Sequence, residues 1–121
     1  MRFIGKVLTA IVLATSAAAA QPGPVYRPGR GVTLPEVTER VLAHHTSAAL
    51  EQRIEGIVRL EAVVEADGTV GDVRVLSSLD TEYGLDEQAV DSVKRWTFQP
   101  GTYQGKPVPV SVIVEVRFSL R

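Results

Sequence analysis

The chain has no cysteine, and its 121 residues include only two histidines, one tryptophan and one methionine. Without cysteine, disulfide bonds, thiolate nucleophiles and the usual structural zinc sites are excluded. Basic and acidic residues nearly balance, at 13 against 14, so the formal net charge is -1. A near-neutral chain with 22% charged residues is neither a basic nucleic-acid-binding protein nor a disordered acidic tail, and 45% of its residues are hydrophobic. Stability must therefore come from an ordinary hydrophobic core.

No motif in the chain predicts catalysis or a bound cofactor. His44 and His45 are adjacent, so their side chains point apart, and no third ligand lies at a suitable spacing. Ser77-Ser78 lacks the Gly-x-Ser-x-Gly context of a hydrolase nucleophile. The acidic residues between positions 80 and 91 lack the order of a calcium-binding loop. We therefore expect no enzyme activity, no metal and no cofactor.

The first twenty residues have the order of a secretory leader. A basic start at Arg2 and Lys6 precedes a short apolar run, and small residues follow up to Ala20. The run is shorter than the roughly 20 apolar residues of a membrane-spanning helix. We expect export with cleavage between Ala20 and Gln21, and no stable membrane span. The alternative is an uncleaved leader that forms a single inner-membrane anchor.

Residues 21–35 are rich in proline and glycine, and no apolar residue repeats regularly among them. Proline fixes φ and removes a backbone donor, so we expect this stretch to be extended or turning rather than packed. The predicted organisation is a signal peptide over 1–20, a linker over 21–35 and one domain over 36–121.

The first half of this domain predicts a helix followed by a β-hairpin. Apolar spacing indicates helical structure in two pieces over 37–53, with Thr46 as an N-cap of the second piece and Gly56 as its stop. Residues 57–66 and 69–77 alternate between apolar and polar side chains, which is typical of strands. Asp67-Gly68 lies between them and is a strong hairpin signal.

A second helix is predicted after a loop over 79–84. Asp86 is the expected N-cap, and Leu85 before it would pack on Val90 as a hydrophobic staple. The helix carries an apolar stripe that ends at Trp96, which we expect in the core. Pro100-Gly101 closes the segment.

Apolar residues occupy every second position of the last segment, from Val108 to Leu120, so we expect one face to be buried and the other to face solvent. Its outward residues are Ser111, Ile113, Glu115 and Arg117. The element order is helix-β-β-helix-β. It predicts an α+β fold in which a small antiparallel three-stranded sheet is packed on one face by two helices.

Motifs between Arg53 and Leu120 together resemble the TonB C-terminal domain. The matching segments are Arg53 to Val58, Ala66 to Val70, Val73 to Ser78, Leu85 to Ala89, Lys94 to Pro100 and Gly105 to Val110. Each motif is short, and their order and spacing carry the resemblance. The resemblance agrees with the structural roles read from the residues, and the predicted structural positions are Gly56, Asp67, Gly68, Asp86, Trp96, Phe98 and Pro100.

The resemblance implies a periplasmic domain that binds outer-membrane TonB-dependent receptors. In that family a short receptor segment, the TonB box, adds as a strand to the last strand of the domain. Here this implies partner contacts at the outward residues of the last strand. The family's Tyr-Pro pair before the first helix corresponds to His45 and Thr46, so His44 and His45 form a second candidate contact.

Three functional hypotheses follow from these observations. The first is a periplasmic module that captures an extended peptide from a TonB-dependent receptor or another envelope protein. The second is a structural domain that forms a homodimer through its last strand. The third is an energy transducer whose leader stays in the inner membrane. Transducing members of the family have an uncleaved anchor and a long proline-rich spacer, and both differ from the leader and linker predicted here.

Overall fold

The computed structural model describes residues 24–120, so the predicted leader and the cleavage site at Ala20 and Gln21 lie outside the described residues. Ten elements follow one another along the chain. They are β1 (Val32–Thr33), β2 (Glu36–Glu39), α1 (Ser47–Glu51), β3 (Gly56–Val64), β4 (Val70–Ser77), α2 (Leu85–Lys94), β5 (Thr97–Gln99), β6 (Thr102–Tyr103), β7 (Lys106–Pro107) and β8 (Val110–Phe118).

The largest sheet has the strand order β4-β3-β8, with β3 antiparallel to both neighbours. Pairing between β3 and β8 runs without a break from Gly56↔Phe118 to Val64↔Val110. One face of β3 is fully buried, because alternate residues of a strand point to the same side. That face carries Val58, Leu60, Ala62 and Val64, which form the core with Ala49 of α1 and Leu85, Ala89 and Val93 of α2. The fold is therefore α+β, with helices on one face of a three-stranded antiparallel sheet.

Two small sheets complete the fold. β2 pairs with β5, and β1, β6 and β7 form a second antiparallel group. The first of these sheets corrects the helix predicted from Val37, because Val37 lies in β2 and pairs with Phe98. The short segment finds its hydrogen-bond partners in β5, which is distant in sequence, so local periodicity could not reveal them.

The first helix is shorter than predicted. Thr46 is its N-cap, and the Thr46 Oγ1 accepts the N–H of Ala49 at 3.1 Å. The helix ends at Glu51, before Arg53 adopts a positive φ of 57°. The expectation that Gly56 stops this helix is therefore wrong, since Gly56 is the first residue of β3.

The start of the second helix also differs from the prediction. Gly84 is the N-cap, with no side-chain capping bond, and Leu85 is the first helical residue and fully buried. Asp86 is not the cap; its carboxylate accepts the N–H groups of Leu79 and Asp80, each at 3.0 Å. Loop N–H groups that become buried on folding need a hydrogen-bond acceptor, and the Asp86 carboxylate supplies it. The staple geometry therefore does not apply to Leu85.

The turn between β3 and β4 is built around Gly68. Its N–H donates to the Glu65 carbonyl at 2.9 Å, and the Glu65 N–H donates to the Thr69 carbonyl at 2.7 Å. Hydrogen bonds from the hydroxyl and N–H of Thr69 lower the pKa of Asp67. Gly68 has a φ of 90°, and a Cβ there would collide with the carbonyl oxygen of Phe98. The hairpin is thus docked against β5 through a position that requires glycine.

Residues 24–35 pack on the rest of the fold, which differs from the expectation of an unpacked linker. Val32 and Thr33 pair with β6, and Tyr26 forms a bridge with Val110 of β8. Prolines in this segment prevent a long strand but do not prevent short pairings. The domain limits at 20/21 and 35/36 stay predictions.

Candidate functional site

The outer edge of β8 is one of the two free edges of the main sheet. Among the strands of residues 24–120, β8 pairs along its length with β3 alone. A groove of about 700 Å³ follows the open side of residues 111–115. Its other walls come from the segment in front of β2, from β2 itself, from β3, and from β5 together with Trp96 just before it.

The backbone of β8 directs alternate N–H groups into this open side. The Ser111 N–H donates to the Tyr26 carbonyl at 2.9 Å, on the side away from β3. Because successive residues of a strand point their N–H groups to opposite sides, the N–H groups of Ile113, Glu115 and Arg117 face the same way. No strand in the described part of the chain pairs with those residues on that side.

One wall of the groove is apolar and rigid. Trp96 and Phe98 lie in the core, 8% and 7% exposed, and both also line the groove beside Val37. The indole Nε1–H of Trp96 donates to the carbonyl of Val41 at 3.0 Å and contacts the hydroxyl of Ser92 at 3.3 Å. These bonds fix the ring. The guanidinium of Arg40, which also lines the groove, lies 5.4 Å from the centroid of this ring.

The other wall is polar and lies on the solvent face of the sheet. Glu61 accepts the Nε–H of Arg74 at 2.7 Å and the hydroxyl of Ser111 at 2.8 Å. The bond from Arg74, followed by that from Ser111, outweighs the opposing effect of burial and lowers the pKa of Glu61. Glu115 pairs with Arg59 at 3.5 Å, although both side chains are largely exposed. The groove is therefore amphipathic across its width.

The predicted contact residues fall into two separate places. Ser111, Ile113 and Glu115 line the groove, and Arg117 continues the same edge as an exposed residue. His45 lies near the far end of β8, where its Nε2 is 2.9 Å from the Ile54 carbonyl and its ring packs edge-on against Phe118. His44 is exposed. Their proposed role in partner binding stays a prediction, and neither histidine lines the groove.

Sequence reasoning missed the contribution of the residues before β2. Arg27, Pro28, Leu34 and Pro35 all line the groove. The available signal was Leu34, an apolar residue inside a stretch otherwise typical of a linker, and its side chain is 54% exposed. Pro100, assigned as structural, lies between β5 and β6 and is partly buried.

No helix among residues 24–120 is both long and apolar enough to cross a membrane. Within the same residues, no group of at least three His, Cys, Asp or Glu side chains could hold a metal ion.

Comparison with known proteins identifies the family. The family profile described as "Gram-negative bacterial TonB protein C-terminal" matches residues 45–120. The chain belongs to the TonB C-terminal domain family. It is 33% identical over 84 residues to Protein TonB of Vibrio cholerae serotype O1, in an alignment that covers 69% of this chain and 34% of that protein. The chain thus matches about a third of the length of this curated relative.

The fold agrees with a solved member of the same family. The solution NMR structure of the Pseudomonas aeruginosa TonB C-terminal domain superposes with a TM-score of 0.54 and 21% sequence identity. The match covers 72% of this chain and 89% of that one. At this identity, the likeness supports the fold alone.

Proposed function

We propose that this TonB C-terminal domain captures an extended peptide by adding it as a strand to the outer edge of β8. The observation that carries the proposal is the open edge itself. The N–H groups of Ile113, Glu115 and Arg117 face outward, and a groove of about 700 Å³ lies beside residues 111–115. Strand addition gains affinity from main-chain hydrogen bonds, and pockets for alternate side chains give specificity.

The two walls of the groove define the chemistry of the peptide. Val37, Trp96 and Phe98 form the apolar wall, whereas Glu61 and Glu115 lie on the polar side. Side chains of an added strand alternate between those two sides. The preferred ligand therefore alternates apolar and polar residues over about five to seven positions, which is an ordinary strand length.

The opposite edge of the sheet is less suited to the same task. The pairing of β4 with β3 shifts register between Arg59 and Leu60, and again between Ala62 and Val64. Such irregularities bend a strand and increase its local twist, and proteins use them to discourage edge pairing. β8 pairs with β3 without a shift, so its free edge presents a regular row of donors and acceptors.

Family membership suggests the source of the peptide. We place the domain in the periplasm, where it would meet the TonB box of an outer-membrane TonB-dependent receptor and so take part in receptor-dependent transport. The proposal concerns a non-catalytic binding step. If the leader remained uncleaved, the same domain would be held at the inner membrane. Intact-mass measurement of the protein from the periplasm would separate these cases, because processing removes residues 1–20.

A proline substitution tests the edge directly. Glu115→Pro removes an outward N–H and leaves the bonds to β3 in place, so we expect the fold to persist and peptide binding to weaken at least about tenfold. Glu115→Ala is the matched control: it loses the ion pair with Arg59 but keeps the N–H, and we expect nearly unchanged affinity. Val114→Pro removes an N–H that serves β3 and should destabilise the fold.

Calorimetric titration provides the measurement, with a capped peptide of about seven alternating valine and threonine residues as the probe. Circular dichroism establishes that each variant is folded. Unchanged affinity in folded Glu115→Pro and Ile113→Pro would contradict the edge mechanism. Sedimentation analysis tests the homodimer alternative, in which a second copy pairs along the same edge. Self-association would be favoured if the wild type were a dimer that bound no peptide and if Glu115→Pro were a monomer.

A further inference from the structure

Part of the β8 edge is already occupied by the chain's own N-terminal segment. Tyr26 forms a parallel bridge with Val110, in which the Tyr26 N–H donates to the Pro109 carbonyl and the Ser111 N–H donates to the Tyr26 carbonyl, each at 2.9 Å. These bonds use the first donor and acceptor that an incoming strand would otherwise meet. The occupied stretch lies directly before the open positions that begin at Ile113.

The sequence explains why this internal pairing stops after a single bridge. A parallel ladder uses every second residue, so residue 28 would be the next donor to β8. That residue is Pro28, which has no N–H, and the chain turns away at Gly29. Pro28 remains beside the edge as part of the groove lining.

The segment is held firmly at both ends of this turn. The ring of Tyr26 packs against that of Tyr103, with centroids 5.1 Å apart. After the turn, the Val32 N–H donates to the Gly29 carbonyl at 3.1 Å, and Val32 pairs with Tyr103 of β6. A ring contact and a strand pairing thus both fix the segment against Tyr103 of β6.

We propose that Tyr26 and Pro28 form a register stop that determines which β8 positions a captured strand can use. This inference rests on the proposed strand capture and deepens it. Tyr26 occupies the Pro109 carbonyl and the Ser111 N–H, so the peptide cannot pair with these two groups. Pro28 has no N–H, so the segment itself pairs no further along β8. The peptide pairs with Ile113, Glu115 and Arg117, a span of roughly 13 Å at about 3.3 Å per residue.

The stop also gives the bound peptide a fixed position relative to the apolar wall. A one-residue slip would exchange the side chains facing the two walls, and a two-residue slip would move them along the groove. A fixed end point excludes slips toward Val110. Register would otherwise rest on side-chain contacts alone.

Amide hydrogen exchange, followed by NMR on the full chain, tests the register stop. The probe is the same capped valine and threonine peptide. In the wild type we expect the Ser111 amide to be protected before the peptide is added and unchanged afterwards. The amides of Ile113, Glu115 and Arg117 should gain at least about tenfold protection on peptide binding, because they acquire hydrogen bonds.

Tyr26→Pro removes both the donor to Pro109 and the ring contact with Tyr103. The carbonyl of residue 26 remains, but without the other contacts it should no longer hold the Ser111 N–H. We therefore expect the Ser111 amide to lose protection in the free variant and to gain it with peptide, as the strand advances by two residues. Val25→Pro is the matched control, since its N–H is not part of the bridge, and should behave as wild type. Tyr26→Ala keeps the backbone donor and should show a smaller change in the same direction.

Two results would overturn the register stop while leaving strand capture intact. One is a peptide that displaces Tyr26 in the wild type, seen as a loss of protection at the Tyr26 amide on binding. The other is Tyr26→Pro with peptide protection confined to the same amides as in the wild type. Absence of any protection at Ile113, Glu115 and Arg117 would instead refute strand capture, and the stop with it.

Discussion

Replacing Trp96 with alanine removes the side chain that joins the end of α2 to the segment before α1. Trp96 is 8% exposed, and its Nε1–H donates to the Val41 carbonyl at 3.0 Å. Truncation of a buried tryptophan costs about 3–5 kcal/mol, because apolar contacts are lost and a cavity remains. This is a large share of a net stability of roughly 5–15 kcal/mol.

The hydrogen bond contributes less than the ring, since the Val41 carbonyl has a second donor. The hydroxyl of Ser92 also donates to it. Trp96→Phe and Ser92→Ala each leave this carbonyl with one donor, so we expect a loss of about 0.5–1.5 kcal/mol for the missing bond in each case. The double variant leaves no side-chain donor, and its loss should exceed the sum of the single losses.

Urea unfolding followed by far-ultraviolet circular dichroism measures these differences. Fluorescence cannot serve, because Trp96 is the one tryptophan of the chain. Trp96→Ala should unfold at a much lower urea concentration than the wild type, while its unfolding free energy should depend on urea with a similar slope. A free energy of unfolding within about 1 kcal/mol of the wild type would refute the reasoning that this ring supports the core. If the double variant lost only the sum of the two single losses in unfolding free energy, the idea that both donors share the Val41 carbonyl would be wrong.

The other predictions concern a turn and a buried carboxylate. Gly68→Ala should lower the free energy of unfolding by more than about 2 kcal/mol, because the new side chain meets both a left-handed φ and the carbonyl oxygen of Phe98. Gly105→Ala is the control, because Gly105 has a φ of 78° but no atom near the added Cβ. Equal losses in the two variants, measured by urea unfolding, would show that the collision is relieved at no cost. Burial would raise the pKa of Asp80, but backbone N–H groups outweigh it and lower this pKa. Its contribution to stability is therefore present at neutral pH, and it is lost as the pH falls below the ordinary pKa of an aspartate and through the lower folded-state pKa. Asp80→Asn should be less stable than wild type at neutral pH, and the difference should shrink as the pH falls through that range. A constant difference across the pH series would contradict this expectation.

The sequence was most informative where one strand face is buried. Alternation predicted β3, β4 and β8, because a period of two can place all apolar residues on one side only in a strand. It also predicted which residues of β8 face outward, including Ile113 and Glu115. Asp67-Gly68 located the hairpin, since few other residue pairs tolerate such a turn.

The sequence was least informative where partners come from distant segments. Val37 had helical spacing with Val41, but a strand pairing with Phe98 decided its conformation. Asp86 had the residue type of a helix cap, but its acceptors are used by the folded loop before the helix. The groove depends on the segment around Tyr26 folding back onto β8, and no local pattern encodes that contact.

The shared use of Trp96 and Phe98 by the core and the groove has a practical consequence. A ligand seated against these side chains binds the folded chain and not the unfolded one. Saturation should therefore raise the melting temperature, and the gain in folding free energy is about 2.7 kcal/mol at a free ligand concentration of 100 times Kd. Thermal denaturation can thus screen candidate peptides on unlabelled protein, because a ligand that fills the groove will raise the melting temperature of the domain.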